Sequence, residues 1–445
     1  MVFPPRSAYL HIPFCHRRCF YCDFPVVPLG DRAAGEVGAP GAASIEAYLE
    51  LLHREIAASP DGPPLSTVYL GGGTPSLLTP GQVAELLAAL RRRFGLAPGA
   101  EVSLELDPAS FDQLRLAGYL GAGVNRVSLG GQSFDDGVLR ALGRRHSGRD
   151  LREAAAWLAQ ARATGALASW SLDLIQAVPG QTLEAWRGQL RQAVACAPPH
   201  LSVYDLTIEP GTVFGRRVER GQLELPGDDL GADLMELTWA ELSAAGYGHY
   251  EISNYALPGH ASRHNRVYWS GAGWWGFGLG ATAAPWGERQ ARPRTREAYR
   301  AWLEEQVANG PVAPAALGPD PADGRADQLA DQLADQLADR LIVGLRRREG
   351  VRLPALLAEA GLASPALQAA LRQVRHALAP WLADGLLIEQ GPRWRLSDPA
   401  GLALSNGVLR QLLTWWETWE ADCPDPRSSA AGPPPPEPVP ATAVD

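Results

Sequence analysis

An α/β fold on a parallel sheet, followed by a small winged-helix-like α+β domain, is what this sequence predicts. Short β-branched or aromatic runs recur six times: "SAYLHI", "STVYLGGG", "EVSLEL", "NRVSLGG", "SWSLDLIQAV" and "HLSVYDLTI". Between them lie helical patterns such as "SIEAYLELLHREIAAS", "GQVAELLAALRRRFG" and "DLREAAAWLAQARATG", with apolar residues three and four positions apart. Strands alternating with helices imply right-handed crossovers and parallel pairing. Six such units suit an open or closed barrel better than a small doubly wound sheet.

The elements can be justified in order. The helix after "STVYLGGG" has a written start and stop. Thr79 reads as its N-cap with Pro80 at the first helical position, Gln82 completes a capping box, and Gly95 follows the last periodic residue. After Glu209 the pattern loosens into "HYEISNYALPGHASRHNRVYWSGAGWWGFGLGATA", an aromatic and glycine-rich stretch that reads as a binding surface. "PVAPAALGPDPADG" reads as a linker, and "ADQLADQLADQLADRL" places Leu329, Leu333, Leu337 and Leu341 on one helical stripe. Short helices then surround "DGLLIEQGPRWRLS", a candidate β-hairpin, and the Pro-rich end reads as disordered. The expected organisation is a core domain over 1–225, an accessory region over 226–310, a linker and repeat helix over 311–340, the winged-helix-like domain over 341–422 and a tail over 423–445.

Composition narrows the function classes. The 445 residues carry a net charge of -9, which disfavours a non-specific nucleic-acid binder even though "LRRREGVR" is locally basic. No run resembles a signal peptide or a membrane-spanning helix, so a cytoplasmic protein without a transmembrane segment is expected. Of the five cysteines, three stand within eight residues in "HIPFCHRRCFYCDF": Cys15, Cys19 and Cys22. Thiolates spaced C-x3-C-x2-C on a loop select zinc or an iron-sulfur cluster, and three ligands leave one corner open. A Cys3His zinc site using His11 or His16 is the alternative.

The loop "YLHIPFCHRRCFYCDF" resembles the radical S-adenosylmethionine (SAM) superfamily, and within it the coproporphyrinogen oxidase-like branch. "VYLGGGTPSLL", "SLELDPASF", "NRVSLGGQSFDDGVLRALGRRH", "LDLIQAVPGQT", "HLSVYDLTIEPGT" and "YEISNYALPGHASRHNRVYW" continue the likeness in order, over roughly 7–410. The resemblance implies a partial (β/α)6 barrel, a 4Fe-4S cluster on Cys15, Cys19 and Cys22, and SAM chelated at the open iron. Ligands of a parallel barrel gather at the carboxyl ends of its strands. There Gly72, Gly73 and Thr74 inherit a role toward the amino-acid part of SAM, and glycines allow a close backbone approach. Glu105, Gln132, Arg144 and Asp173 match further SAM contacts, and Tyr9 and Tyr21 match aromatic contacts near the cluster. Asp173, a lone charge within "LDLIQAV", needs a partner if it is buried.

Oxygen-independent coproporphyrinogen III oxidases extend the motif to C-x3-C-x2-C-x-C, but position 24 here is Phe24. "CDF", "VPGQT" and "HNRVYW" resemble instead the HemW-type heme chaperones, which implies heme as a third ligand and heme proteins of the respiratory chain as recipients, with peripheral membrane association only through such partners. His264 of "HNRVYW" is the candidate heme ligand. The oxidase activity, radical decarboxylation in porphyrin biosynthesis, is the alternative. Gly131 and the pair Ala177-Val178 depart from the branch's usual "LGVQSF" and "GL".

Overall fold

The computed structural model describes residues 4–285, 287, 289–310, 336–362 and 364–422, and divides into two units, 1–320 and 321–445. In the first unit the six apolar runs become parallel strands: β1 (Ser7–Ile12), β2 (Leu65–Gly72), β3 (Leu96–Leu106), β4 (Arg126–Gln132), β5 (Ser169–Gln176) and β6 (His200–Asp205). Each pairs with the next in sequence order. Leu10, Leu70, Leu104, Leu129, Leu172 and Leu201 are buried along them, so every strand meets the same core.

Side chains cap the helices that connect the six strands, except the first, which begins after Gly41 without one. Thr79 and Gln82 form the capping box of α2 (Pro80–Arg93), after α1 (Ala42–Ala58). Asp112 caps α3 (Gln113–Ala122), Asp135 caps α4 (Asp136–Leu142), and Ser147 caps α5 (Gly148–Ala163), each accepting from an amide of the first turn. Thr182 does the same for α6 (Leu183–Ala195) and Thr212 for α7 (Val213–Glu219). A cap of this kind stabilises a helix by roughly 1 kcal/mol, and it fixes where each loop at the carboxyl end of the sheet must finish. Those loops carry the site together with the longer connection from β1 to α1, which holds the cysteines.

Parts of the aromatic stretch expected to be a binding surface join the sheet. After α8 (Asp228–Ala244), β7 (Gly248–Glu251) and β8 (Asn254–Ala256) add antiparallel beyond β6. Past α9 (Arg263–Ser270), β9 (Trp275–Phe277) pairs in parallel with β1, and α10 (Arg296–Asn309) follows. The order is β9-β1-β2-β3-β4-β5-β6-β8-β7. Tyr255, Trp275 and Phe277 are buried in the main core, which is why the sequence there is aromatic.

In the second unit, residues 336–345 are helical with Leu337, Leu341 and Leu345 buried, while Leu329 and Leu333 lie outside the described residues. The expected hairpin is present as β10 (Leu387–Gln390) and β11 (Arg393–Leu396), and Trp394 and Leu387 pack into a core of their own with Leu357, Val374 and Leu412. The Pro-rich tail lies outside the described residues. Among those described, no helix is long and apolar enough to cross a membrane.

Candidate functional site

The cysteine loop leaves the end of β1 and is clamped on both sides. Val27 and Leu29 donate to the carbonyls of Pro13 and Cys15, closing a short parallel pair between Phe14–Cys15 and Val27–Pro28. Phe20 donates to Leu142 O at the end of α4 and accepts from Phe214 N at the start of α7. Cys15 is buried, and Cys19 and Cys22 are half-buried. All three line a cavity of about 390 Å³ together with Tyr21, Gly72, Gly73, Thr74, Glu105, Gln132, Arg144 and Asp173. Of the eleven other positions that the resemblance assigns to the cluster or SAM, all but Tyr9 meet the same cavity as Cys15.

The sulfurs have hydrogen-bond donors at hand. Thr74 Oγ1 donates to Cys15 Sγ at 3.5 Å, and Arg144 Nη1 to Cys19 Sγ at 3.6 Å. Burial pushes the Cys15 thiol up to about 12, so that site holds a thiolate only with a metal to neutralise it. Among the described residues no three His, Cys, Asp or Glu side chains converge closely enough to share a single metal ion. A 4Fe-4S cluster asks less, since each cysteine holds a separate iron and the thiols need only surround the space. His11, a possible zinc ligand by sequence, faces away from the cavity, with Nδ1 at 3.0 Å from Tyr9 OH and Nε2 at 3.1 Å from Pro25 O; His16 does line it.

The glycine loop has its amides engaged within the fold. Gly72 sits at φ +113°, where a Cβ would stand 2.5 Å from the His11 ring, and a Cβ on Gly73 would stand 2.7 Å from Phe14 O. Only glycine fits either place. Yet the amides are already spent: Gly72 N–H on Glu105 Oε2, Gly73 N–H on Ile12 O and Thr74 N–H on Phe14 O. The loop therefore meets a ligand with acceptors rather than donors.

Glu105, on β3, accepts from Tyr69 OH at 2.9 Å and Gly72 N at 2.9 Å. Burial outweighs both bonds and lifts its carboxyl to about 7, with Asp173 adding repulsion. Raised in the fold from about 4.3 unfolded, this carboxyl contributes stability that is complete below about 4.3 and lost as pH rises through 7. Glu105→Gln should accordingly stabilise the ligand-free protein at pH 8 by about 1–3 kcal/mol, allowing for partial solvent screening. Urea midpoints from pH 4 to 8 test this, and a difference that stays constant across that range would contradict it.

Asp173, on β5, has serines rather than a cation as partners. Ser128 Oγ donates to its Oδ2 at 2.8 Å, Ser171 Oγ to its Oδ1 at 3.2 Å, and Ser202 bonds it too. The sheet register delivers them: Ser128 lies opposite Ser171, and Asp173 opposite Ser202. Burial still raises its carboxyl despite the three hydroxyls.

Arg144 is held by a residue that sequence reasoning missed. Its Nη2 donates to Asp107 Oδ2 at 2.6 Å and to Gly130 O at 2.9 Å. Burial alone would raise the Asp107 carboxyl; Arg144 and His146 overcome this and hold it well below the usual carboxylate range. Arg144 Nε is buried with no protein partner, a donor left over among the lining residues. Gln132, the last residue of β4, stands at φ 64°, a left-handed backbone, beyond a register shift between Gly130 and Gln132. The unusual Gly131 has a packing reason, since a Cβ there would stand 2.7 Å from Leu172 Cδ1 and 2.8 Å from Leu151 Cδ1. Ala177 also lies at positive φ, 57°, where glycine would be free of strain.

Tyr9 and His264 are not among the lining residues. Tyr9 stacks on Tyr69 within the sheet at 6.2 Å between ring centroids. His264, in the first turn of α9, is buried, with Nδ1 at 2.8 Å from Thr67 Oγ1 and Nε2 at 2.7 Å from Tyr268 OH. Thr67 lies in the amino-terminal half of β2, away from the cysteine loop. Burial lowers the His264 ring to about 3, keeping it neutral, and both nitrogens are engaged.

The family profile of the radical SAM superfamily matches residues 9–191. The chain is 45% identical over 307 residues to the heme chaperone HemW of Synechocystis sp., covering 69% of this chain and 72% of that protein. It is 38% identical over 422 residues to the heme chaperone HemW of Mycobacterium tuberculosis, covering 92% and 95%. Among solved structures, the radical SAM enzyme coproporphyrinogen III oxidase (HemN) from Escherichia coli superposes with a TM-score of 0.70 at 22% identity, covering 94% of this chain and 91% of the other, a likeness of fold. With identity of this level running almost end to end along a relative, the chain belongs to the HemW family within the radical SAM superfamily.

Proposed function

We propose that this chain is a heme chaperone: it carries a 4Fe-4S cluster on Cys15, Cys19 and Cys22, binds SAM beside it, and binds heme for delivery to heme proteins, those of the respiratory chain among them. What carries the reading is one cavity, bordered by the three thiols and by Glu105, Asp173 and Arg144, in a chain of this family. When bound, the cluster supplies a low-potential electron and an open iron. The chain's own residues do the rest. Glu105 and Asp173 present acceptors to the ammonium and sulfonium of SAM, and the glycine loop adds acceptors beside them. Asp107 neutralises most of the Arg144 charge and fixes its plane, which holds the guanidinium at the cavity wall beside Cys19. Tyr21, Ile175 and Leu206 wall off solvent. His264, with both nitrogens committed, we assign to the interior rather than to heme.

Phe24 favours the chaperone over the oxidase, because it stands where the resemblance places the oxidases' fourth cysteine. The test is spectroscopic. With the cluster reconstituted anaerobically, hemin should give a saturable Soret shift and SAM should perturb the electron paramagnetic resonance spectrum of the reduced cluster. Coproporphyrinogen III should remain undecarboxylated. Turnover on the order of 1 per second, as ordinary enzymes show, or no saturable hemin binding, would overturn the reading.

A further inference from the structure

The loop that carries the cysteines borders a second cavity. Arg18, Asp23, Phe24 and Val26 line the site already described and also one of about 540 Å³, bordered by Pro25, Val27 and residues 294–297 at the start of α10. Its volume lies in the range of small-molecule and cofactor sites. Phe24 is 51% exposed. A single exposed ring is ordinary; the cations around this one make it informative.

Three guanidinium groups, from Arg18, Arg294 and Arg296, line the same cavity. Each is anchored through neutral acceptors. Arg18 donates to Cys22 O at 3.4 Å and Val26 O at 3.3 Å, Arg294 to Asp23 O at 2.6 Å, and Arg296 to Ser44 O at 3.2 Å and Ser44 Oγ at 2.7 Å. Among the described residues none of the three forms an ion pair with a carboxylate, and although Asp23 and Glu297 also line the space, the cations are in excess. Guanidinium groups held in place by backbone oxygens keep donors for an incoming carboxylate. An aromatic face bordered by carboxylate-binding arginines suits a flat apolar molecule with anionic groups on its edge. Among the described residues no His, Cys, Met or Tyr lines this cavity, so they offer heme iron none of those axial ligands.

We propose that this second cavity is the porphyrin-docking site, resting on the heme-chaperone reading above: Phe24 packs against the macrocycle, Arg18, Arg294 and Arg296 hold the propionates, and the protein leaves the iron unligated. Cargo held by its edge and face is released without breaking a protein–iron bond, which suits a protein that must hand it on. Because Arg18 and Phe24 belong to the cysteine loop, the docked porphyrin lies beside the cluster site.

The test uses the full-length, cluster-loaded protein and three probes: hemin, metal-free protoporphyrin IX, and protoporphyrin IX dimethyl ester. Protoporphyrin IX should bind within about tenfold of hemin, and the ester at least about tenfold more weakly than the free acid. R294Q/R296Q should raise the Kd of both free acids about tenfold, equivalent to ~1.4 kcal/mol, and leave the ester unchanged. Should that double variant fail to fold by circular dichroism, Arg18→Gln replaces it, since Arg18 is exposed and its two bonds are long. The comparison of acid with ester on the unmodified protein decides independently of any variant. Hemin binding with equal affinity for acid and ester, or hemin binding without protoporphyrin IX binding, overturns the docking site alone. Failure of every porphyrin to bind removes the heme-chaperone reading itself.

Discussion

Alanine at Cys15, at Cys19 or at Cys22 is expected to abolish the broad visible absorption of the anaerobically reconstituted protein and the resonance signal of its reduced cluster. Alanine at Cys196, at the end of α6 and away from the cavity, should change neither. With three protein ligands, losing one leaves two irons held, and even the partners that orient a metal's ligands typically contribute 10–100-fold in affinity. A bound-iron content at least tenfold lower is therefore expected for each single variant. Thr74→Ala, which removes the donor to Cys15 Sγ but no ligand, should weaken the cluster without eliminating it. Bound iron and sulfide persisting in the triple variant would refute the assignment.

The triad was legible because its chemistry is local: three thiols within eight residues meet wherever the loop goes. The six core strands and the capping of α2 were legible for the same reason, each being written in neighbouring residues. What the sequence hid is relational. Asp107 follows a strand in "LDPAS", where an acid before proline reads as a turn, and Arg144 lies 37 positions on; only the folded sheet sets them 2.6 Å apart. The serines around Asp173 lie on three strands, and cross-strand register cannot be read from any one of them. Strands β7 to β9 were missed because they are three or four residues long, too short for an alternating pattern to show. His264 was read the other way, from its surroundings. Its aromatic neighbours suggested a ligand-binding surface, and in the fold they bury it, with Thr67 and Tyr268 hydroxyls at its two ring nitrogens.

The Asp107–Arg144 pair gives the largest expected stability effect outside the cysteines. Their side chains are 19% and 13% exposed, so Asp107→Asn strands a guanidinium that solvent reaches poorly. Breaking a buried pair on one side costs about 3–5 kcal/mol, whereas replacing both members with apolar groups is often neutral. Asp107→Asn should thus lower the urea midpoint sharply, and Asp107→Leu combined with Arg144→Met should recover most of the loss. SAM binding should not recover, because the double variant has lost the guanidinium that lines the cavity; stability and ligand binding separate there. The pH dependence has a defined sign. The folded Asp107 carboxyl titrates below its unfolded value of about 3.9, so its contribution is complete above that pH and is lost as pH falls toward the folded value. The gap between the wild type and Asp107→Asn should therefore stay constant from pH 8 to about 5 and narrow only below about 4. A gap that narrows already near pH 6, or a double variant that perturbs the reduced cluster's spectrum with SAM as strongly as the wild type does, would show that this pair neither anchors the cavity nor meets its ligand.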